Sequence, residues 1–218
     1  MSQTCLIICA HSDDQVLGAG GTIQELVRDG YQVKTLIFSY GEKSHPHLSE
    51  EHVRKVRKDE SYEADTILGS HGVEFIDVPE GQFAESMRAR KVVKRRLEEL
   101  VPDIVFTHSE DDPHPYHRAV HRVVLDTYDE LKTVESDIYA FDVWNVWNLK
   151  KRHLPRLYVG IDKYKRVKLE ALHVFKSQIS MFSHTYLNNV LYVKQLVQSL
   201  VNGLHTDNTF AEVFYKYR

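Results

Sequence analysis

Cysteine is scarce in this sequence: Cys5 and Cys9 are the two found in 218 residues. They lie four positions apart on a predicted strand, about 13 Å from one another at about 3.3 Å per residue, and cannot bridge each other. This excludes a disulfide scaffold and points to a reducing cytoplasm. Long apolar runs are also missing, and no N-terminal stretch joins a basic head to an apolar segment and a small-residue cleavage site. The chain therefore reads as soluble and unprocessed, with no membrane partner. An excess of one charge is lacking too: 28 basic and 31 acidic residues interleave to a formal net charge of -3. Nucleic acid is not the expected partner of so balanced a surface. Repeats, low-complexity tracts and linker-like stretches are absent, and 42% hydrophobic residues suffice for the core of one domain over residues 1–218.

What is present alternates between two periodicities. CLIICA (5–10), QVKTLIFS (32–39), VEFIDV (73–78), DIVFTH (103–108), DIYAFDVW (137–144) and RLYVGID (156–162) are short and rich in β-branched or aromatic residues, and read as strands. Helical patterns lie between them, clearest at 16–30, 50–69 and 85–101, with Gly30, Gly69 and Pro102 placed as terminators. The alternation predicts an α/β fold with a mainly parallel sheet flanked by helices. The longest irregular segment, 40–50, is expected to be a mobile loop over the active face, where His45 and His47 have the best chance among the scattered histidines of touching substrate.

Ligands of such sheets gather beyond the carboxyl ends of the strands. His11, Asp13 and Asp14 end the first strand, and THSEDDPHPYHRAVHR after the fourth carries His108, Asp111, Asp112, His114, His117 and His121. The two clusters are predicted to meet and to offer a catalytic zinc site, with three protein ligands and one open position. Each residue alone has a plainer reading: His11 and His108 as strand-end caps, Asp13 or Asp14 as a helix N-cap, His114 and His117 as solvated helix-start residues. His117 and His121, four apart, form a second-ranked ligand pair on one helical face.

HxDD after the first strand, RKDE (57–60) followed by LG, VPEGQF as a short acidic loop, HPxH after a later strand, KSQ (176–178) and AEVF (211–214) stand in the order found in a known family. The chain resembles the zinc-dependent de-N-acetylases related to GlcNAc-phosphatidylinositol deacetylase, the LmbE-like or PIG-L family. The resemblance implies a Rossmann-like three-layer sandwich and a hydrolase that removes acetyl from a small N-acetylated amino sugar or GlcNAc conjugate. It makes His11, Asp14 and His117 the ligands of Zn²⁺, with Fe²⁺ or Co²⁺ as substitutes. Asp13 becomes the general base, and His114, as imidazolium, stabilises the oxyanion or protonates the departing amine. Arg57 and Glu80 become substrate-binding residues. A cytoplasmic homo-oligomer is implied as well.

Three positions depart from the family pattern. Ser12 stands where proline is usual, loosening the ligand loop without removing a ligand. Gln15 replaces a supporting Glu, and Tyr116 replaces the Asp of HPDH that orients the catalytic histidine, a duty left open to Asp111 or Asp112. These motivate a metal-poor, sugar-binding pseudoenzyme as the alternative. A nucleotide-binding α/β protein, suggested by Gly18, Gly20 and Gly21, ranks lower because Ile23 stands where the dinucleotide fingerprint needs glycine. The three glycines are read instead as permitting close helix-to-sheet packing.

Overall fold

The computed structural model describes residues 3–45, 47–131, 133–145, 153–179 and 196–218. Among these, β1 (Thr4–Cys9), β2 (Gln32–Ile37), β3 (Val73–Phe75), β4 (Ile104–His108), β5 (Asp137–Phe141), β6 (Arg156–Gly160) and β7 (Ala211–Lys216) form a sheet in the order β3-β2-β1-β4-β5-β7-β6. Pairings from β3 through β5 are parallel, and β7 runs antiparallel to both β5 and β6. The helices between them are α1 (Asp14–Arg28), α2 (Glu50–Leu68), α3 (Met87–Leu100), α4 (Pro115–Asp129) and α5 (Lys165–His173).

Successive side chains of a strand point to opposite faces, and β1 divides its residues between two cores accordingly. Cys5, Ile7 and Cys9 pack with Val16, Leu17 and Ile23 of α1, Ala64 and Leu68 of α2, and Ala171 and Leu172 of α5. Leu6, Ile8 and Ala10 pack with Ala89, Val93 and Leu97 of α3 and Val120, Val123 and Val124 of α4. Covering on both faces is why β1 is an unbroken apolar run. The result is the expected α/β arrangement: a mixed, mainly parallel sheet between two helical layers. Cys5 and Cys9 are buried free thiols, and no described helix is long and apolar enough to cross a membrane.

Two of the glycines singled out in α1 make the expected close approach. A Cβ on Gly18 would lie 2.2 Å from Phe141 Cδ2, and one on Gly21 would lie 2.4 Å from Ile161 Cγ2. Packing against these side chains accounts for them without a phosphate ligand.

The six expected strands form, but a seventh does. AEVF, a terminal signature by resemblance, is the start of β7, which inserts between β5 and β6 and carries Phe214 into the core. Phe210 is half-buried, while Tyr186 and Tyr192 fall outside the described residues. The segment 40–50 is packed in its first half rather than loose: Tyr40 stacks on Phe75 at 4.3 Å, and Glu42 is buried against Arg54 at 3.1 Å.

Functionally, the decisive feature is the neighbourhood of β1. The chain passes from β1 outward through β2 and β3 on one side, and through β4 and β5 on the other. Connections leaving β1 and β4 therefore diverge, opening a crevice beyond their carboxyl ends, where ligands of open α/β sheets bind.

Candidate metal centre

Asp14 sits at the centre of this crevice as the first residue of α1. Its Oδ2 accepts the His11 backbone N–H at 2.8 Å and lies 3.5 Å from His11 Nδ1 and 3.2 Å from His108 Nε2. Its Oδ1 faces His117 Nε2 at 3.4 Å. One ligand-capable atom from each of His11, Asp14 and His117 lies within 4.8 Å of the others. Two stretches more than a hundred residues apart in sequence therefore converge as expected.

The group fits a divalent cation on the chemistry of its donors. His117 is 1% exposed at the side chain, and neither of its ring nitrogens makes a well-aligned hydrogen bond. A buried polar atom without a partner is costly, and a cation between Nε2 and the Asp14 carboxylate would satisfy both. Two imidazoles and one carboxylate suit zinc and related ions, with room in the coordination shell for water or substrate.

The surrounding charges are strongly coupled. Burial pushes the Asp14 carboxyl up, but the imidazoles of His117 and His108 outweigh it and hold it well below the usual carboxylate range. Burial lowers His11, yet hydrogen bonds to Asp14 and Glu80 raise it to about 9. His108 and His114 go the other way: burial and the nearby His117 bring them down to about 4 and about 3. At His114 the charges of Asp14 and Asp112 oppose this lowering but are outweighed, which favours the neutral ring over the expected imidazolium.

The other residues singled out in the sequence lie around this group. The His114 ring is 5.2 Å from that of His11 and stacks at 4.5 Å on that of His117. Glu80 Oε1 lies 3.3 Å from His11 Nε2, and Glu80 is lowered by that contact against the effect of burial. Asp13 occupies the N-cap position of α1, but its side chain makes no capping bond; it meets Arg57 Nη2 at 3.0 Å instead. Arg57 is 3% exposed and points inward at Ser12, Asp13 and Gly41.

His121 does not join the cluster: its Nδ1 pairs with the His108 carbonyl oxygen at 2.8 Å. The ranked-second ligand pair is therefore not assembled. His108 does cap a strand end, accepting the Ala10 N–H at 3.0 Å, while its ring stacks on His117 at 3.9 Å. Tyr116, in place of the usual aspartate, packs on Phe83 at 5.3 Å and on His114 at 5.2 Å. Gln15 donates to the Ser12 carbonyl oxygen at 3.1 Å, a bond that the usual carboxylate could not make.

Two relationships were not anticipated from sequence. Asp112, considered as a substitute partner for the His114 ring, approaches His117 Nδ1 instead at 3.2 Å. Glu60 accepts Ser177 N–H at 2.8 Å and Ser177 Oγ–H at 2.6 Å, so the RKDE and KSQ motifs meet. The presence of both motifs in one chain was the only sequence signal for that contact.

Comparison with known proteins agrees with this picture. Residues 6–128 match the model of the PIG-L family, GlcNAc-PI de-N-acetylase. The chain is 33% identical over 125 residues to 4-oxalmesaconate hydratase of Pseudomonas putida KT2440, across 52% of this chain and 46% of that protein. It thus spans about half the length of this curated relative. Among solved structures, N,N'-diacetylchitobiose deacetylase from Pyrococcus horikoshii has a TM-score of 0.83 at 22% identity, covering 99% of this chain and 84% of that one. GalB, the 4-carboxy-2-hydroxymuconate hydratase of Pseudomonas putida KT2440, has a TM-score of 0.82 at 19% identity, covering 99% and 96%. At these identities the two structures speak for a shared fold. The family match, by contrast, takes in more than half the chain and holds most of the residues converging on Asp14: this protein belongs to the PIG-L, or GlcNAc-PI de-N-acetylase, family.

Proposed function

We propose that this protein is a zinc-dependent hydrolase that removes an acetyl group from a small N-acetylated amino sugar or GlcNAc conjugate. The observation that carries the reading is the convergence of His11, Asp14 and His117 within 4.8 Å; the Asp13 carboxylate, one residue before Asp14, is paired with Arg57. His11, Asp14 and His117 would hold the ion; Fe²⁺ and Co²⁺ accept similar donors. When bound, zinc polarises a carbonyl and brings the pKa of its water toward about 7. Asp13 accepts the proton of the attacking water. His114, facing the same space, donates a hydrogen bond to the developing oxyanion, a role open to a neutral ring. Glu80, 12% exposed at the side chain, orients His11 and offers its other oxygen to a substrate hydroxyl. The same reading has the enzyme act in the cytoplasm, with which two buried free thiols are compatible, and, by family resemblance, as a homo-oligomer.

A second reading, hydration of an unsaturated carboxylic acid, is favoured by the 33% identity to a hydratase. It uses the same cation and proton acceptor on a carbon–carbon double bond. One experiment separates the two: elemental analysis of purified protein, followed by amine release from a panel of N-acetylglucosaminides and loss of ultraviolet absorbance from conjugated enoates. Amine release supports the deacetylase, while bleaching of an enoate without amine release replaces it with the hydratase. Metal-free protein inert on both panels overturns the enzyme reading and leaves the sugar-binding pseudoenzyme.

A further inference from the structure

We infer that Arg57 is a positioning residue that aims the Asp13 carboxylate through an anchor on Ser12, and that it does not bind substrate. This rests on the reading of Asp13 as the proton acceptor of a metal hydrolase. The family resemblance implies the opposite, an arginine that reaches the substrate.

Each of the three guanidinium nitrogens has a partner in the interior. Nε donates to Ser12 Oγ at 2.9 Å, Nη2 to Asp13 Oδ1 at 3.0 Å, and Nη1 to the Gly41 carbonyl oxygen at 3.4 Å. Its side chain is 4% exposed, which leaves little of the guanidinium within reach of a substrate hydroxyl. Gly41 makes the pocket possible. It sits at φ +70°, and a Cβ there would lie 2.1 Å from Nη1. Asp13 makes no other side-chain hydrogen bond among the described residues, which leaves its Oδ2 for water.

Ser12 makes this arrangement particular to this chain. Proline, usual at that position, has no hydroxyl to receive Nε. The Ser12 carbonyl is held as well, accepting from Gln15 Nε2 at 3.1 Å and Ser61 Oγ at 2.9 Å. The two departures Ser12 and Gln15 thus act together: one anchors the arginine, the other fixes the peptide that joins His11 to Asp13. Below Arg57 on α2, one turn on, Glu60 is pinned by Ser177, which braces the helix that carries the guanidinium. A planar fork with fixed donors suits such a role better than a flexible ammonium.

The test is a mutant cycle on metal-loaded full-length protein, using whichever substrate of the amide and enoate panels the wild type turns over. Arg57→Lys keeps the charge but loses the fork, and is expected to lower kcat by about 100-fold, the effect of roughly 1 Å of misplacement, while KM stays within about twofold. Ser12→Ala, the gentler variant, is expected to lower kcat by about tenfold in the same manner. Metal content should stay at the wild-type level in both, and the double variant Arg57→Lys/Asp13→Asn should be no slower than Asp13→Asn alone. A rise in KM at constant kcat, or losses that multiply in the double variant, would overturn the inference and restore a substrate contact. Wild-type protein inert on both panels would instead sink the functional reading, and this inference with it.

Discussion

His117 Nδ1 lies 3.2 Å from Asp112 Oδ1, and both side chains are buried. The Asp112 carboxylate is itself fixed: Oδ1 accepts the His114 N–H at 2.9 Å, and Oδ2 accepts the N–H groups of Val143 and Trp144 at 3.1 Å each. Burial opposes its ionisation, but the close approach and charge of His117 outweigh that and hold it well below the usual carboxylate range. Such a carboxylate sets the tautomer and orientation of an imidazole whose other nitrogen faces a cation. Asp112→Asn is expected to weaken metal binding by about 10- to 100-fold. Competition against a chromophoric chelator measures this directly, and an unchanged affinity would remove Asp112 from the account of the site.

The metal assignment separates neighbouring residues. Asp14→Ala and His117→Ala should purify without metal, because each removes one of three converging donors. Asp13→Asn should retain wild-type metal content and lose most turnover. A deacetylation rate left intact in Asp13→Asn would show that another group takes the proton.

α1 tests the packing argument. In Gly18→Ala the new Cβ meets Phe141 Cδ2 at 2.2 Å, and overpacking of this kind costs about 1–3 kcal/mol. For a chain of this size that is a fall in Tm of about 2–4 °C per kcal/mol, readable by calorimetry. At Gly30 there is open space around a Cβ but φ is +88°, so Gly30→Ala should destabilise through backbone strain alone, by about 1–2 kcal/mol. Unfolding in urea ranks the two; equal wild-type stability in Gly18→Ala would show that Phe141 yields without strain.

A buried ion pair ties α1, α5 and β7 together. Glu212 accepts from Lys168 Nζ at 2.6 Å, Thr22 Oγ at 2.6 Å, Thr22 N–H at 2.8 Å and Gly21 N–H at 3.0 Å. Glu212→Gln leaves the lysine without its counter-charge and should cost about 3–5 kcal/mol. Lys168→Met combined with Glu212→Gln should cost less than the sum of the two single changes. Additive losses in denaturant melts would mean that the pair is not energetically coupled.

The separation between what is local and what is not runs through particular residues. Apolar runs and their spacing gave β1 to β6 and the three clearest helices, because periodicity reports which side of an element is buried. β7 lay hidden: its residues Ala211–Lys216 alternate no more clearly than a buried terminal segment would, and only antiparallel pairing with β5 and β6 made it a strand. The convergence of His11, Asp14 and His117 could be anticipated from sequence, since residues at the carboxyl ends of adjacent parallel strands share one edge whatever their side-chain details.

Orientation was another matter. Nothing in the order of residues says that Asp112 turns to His117 rather than to the His114 ring, that His121 turns to a carbonyl, or that Arg57 points inward. Those outcomes depend on which buried polar atoms lack other partners once both helical layers close over the sheet, and that depends on the whole packed chain. Sequence alone therefore determined which chemical groups meet beyond β1 and β4. Tertiary structure decided which atom of each faces which, because a buried charge takes the geometry in which its neighbours satisfy it.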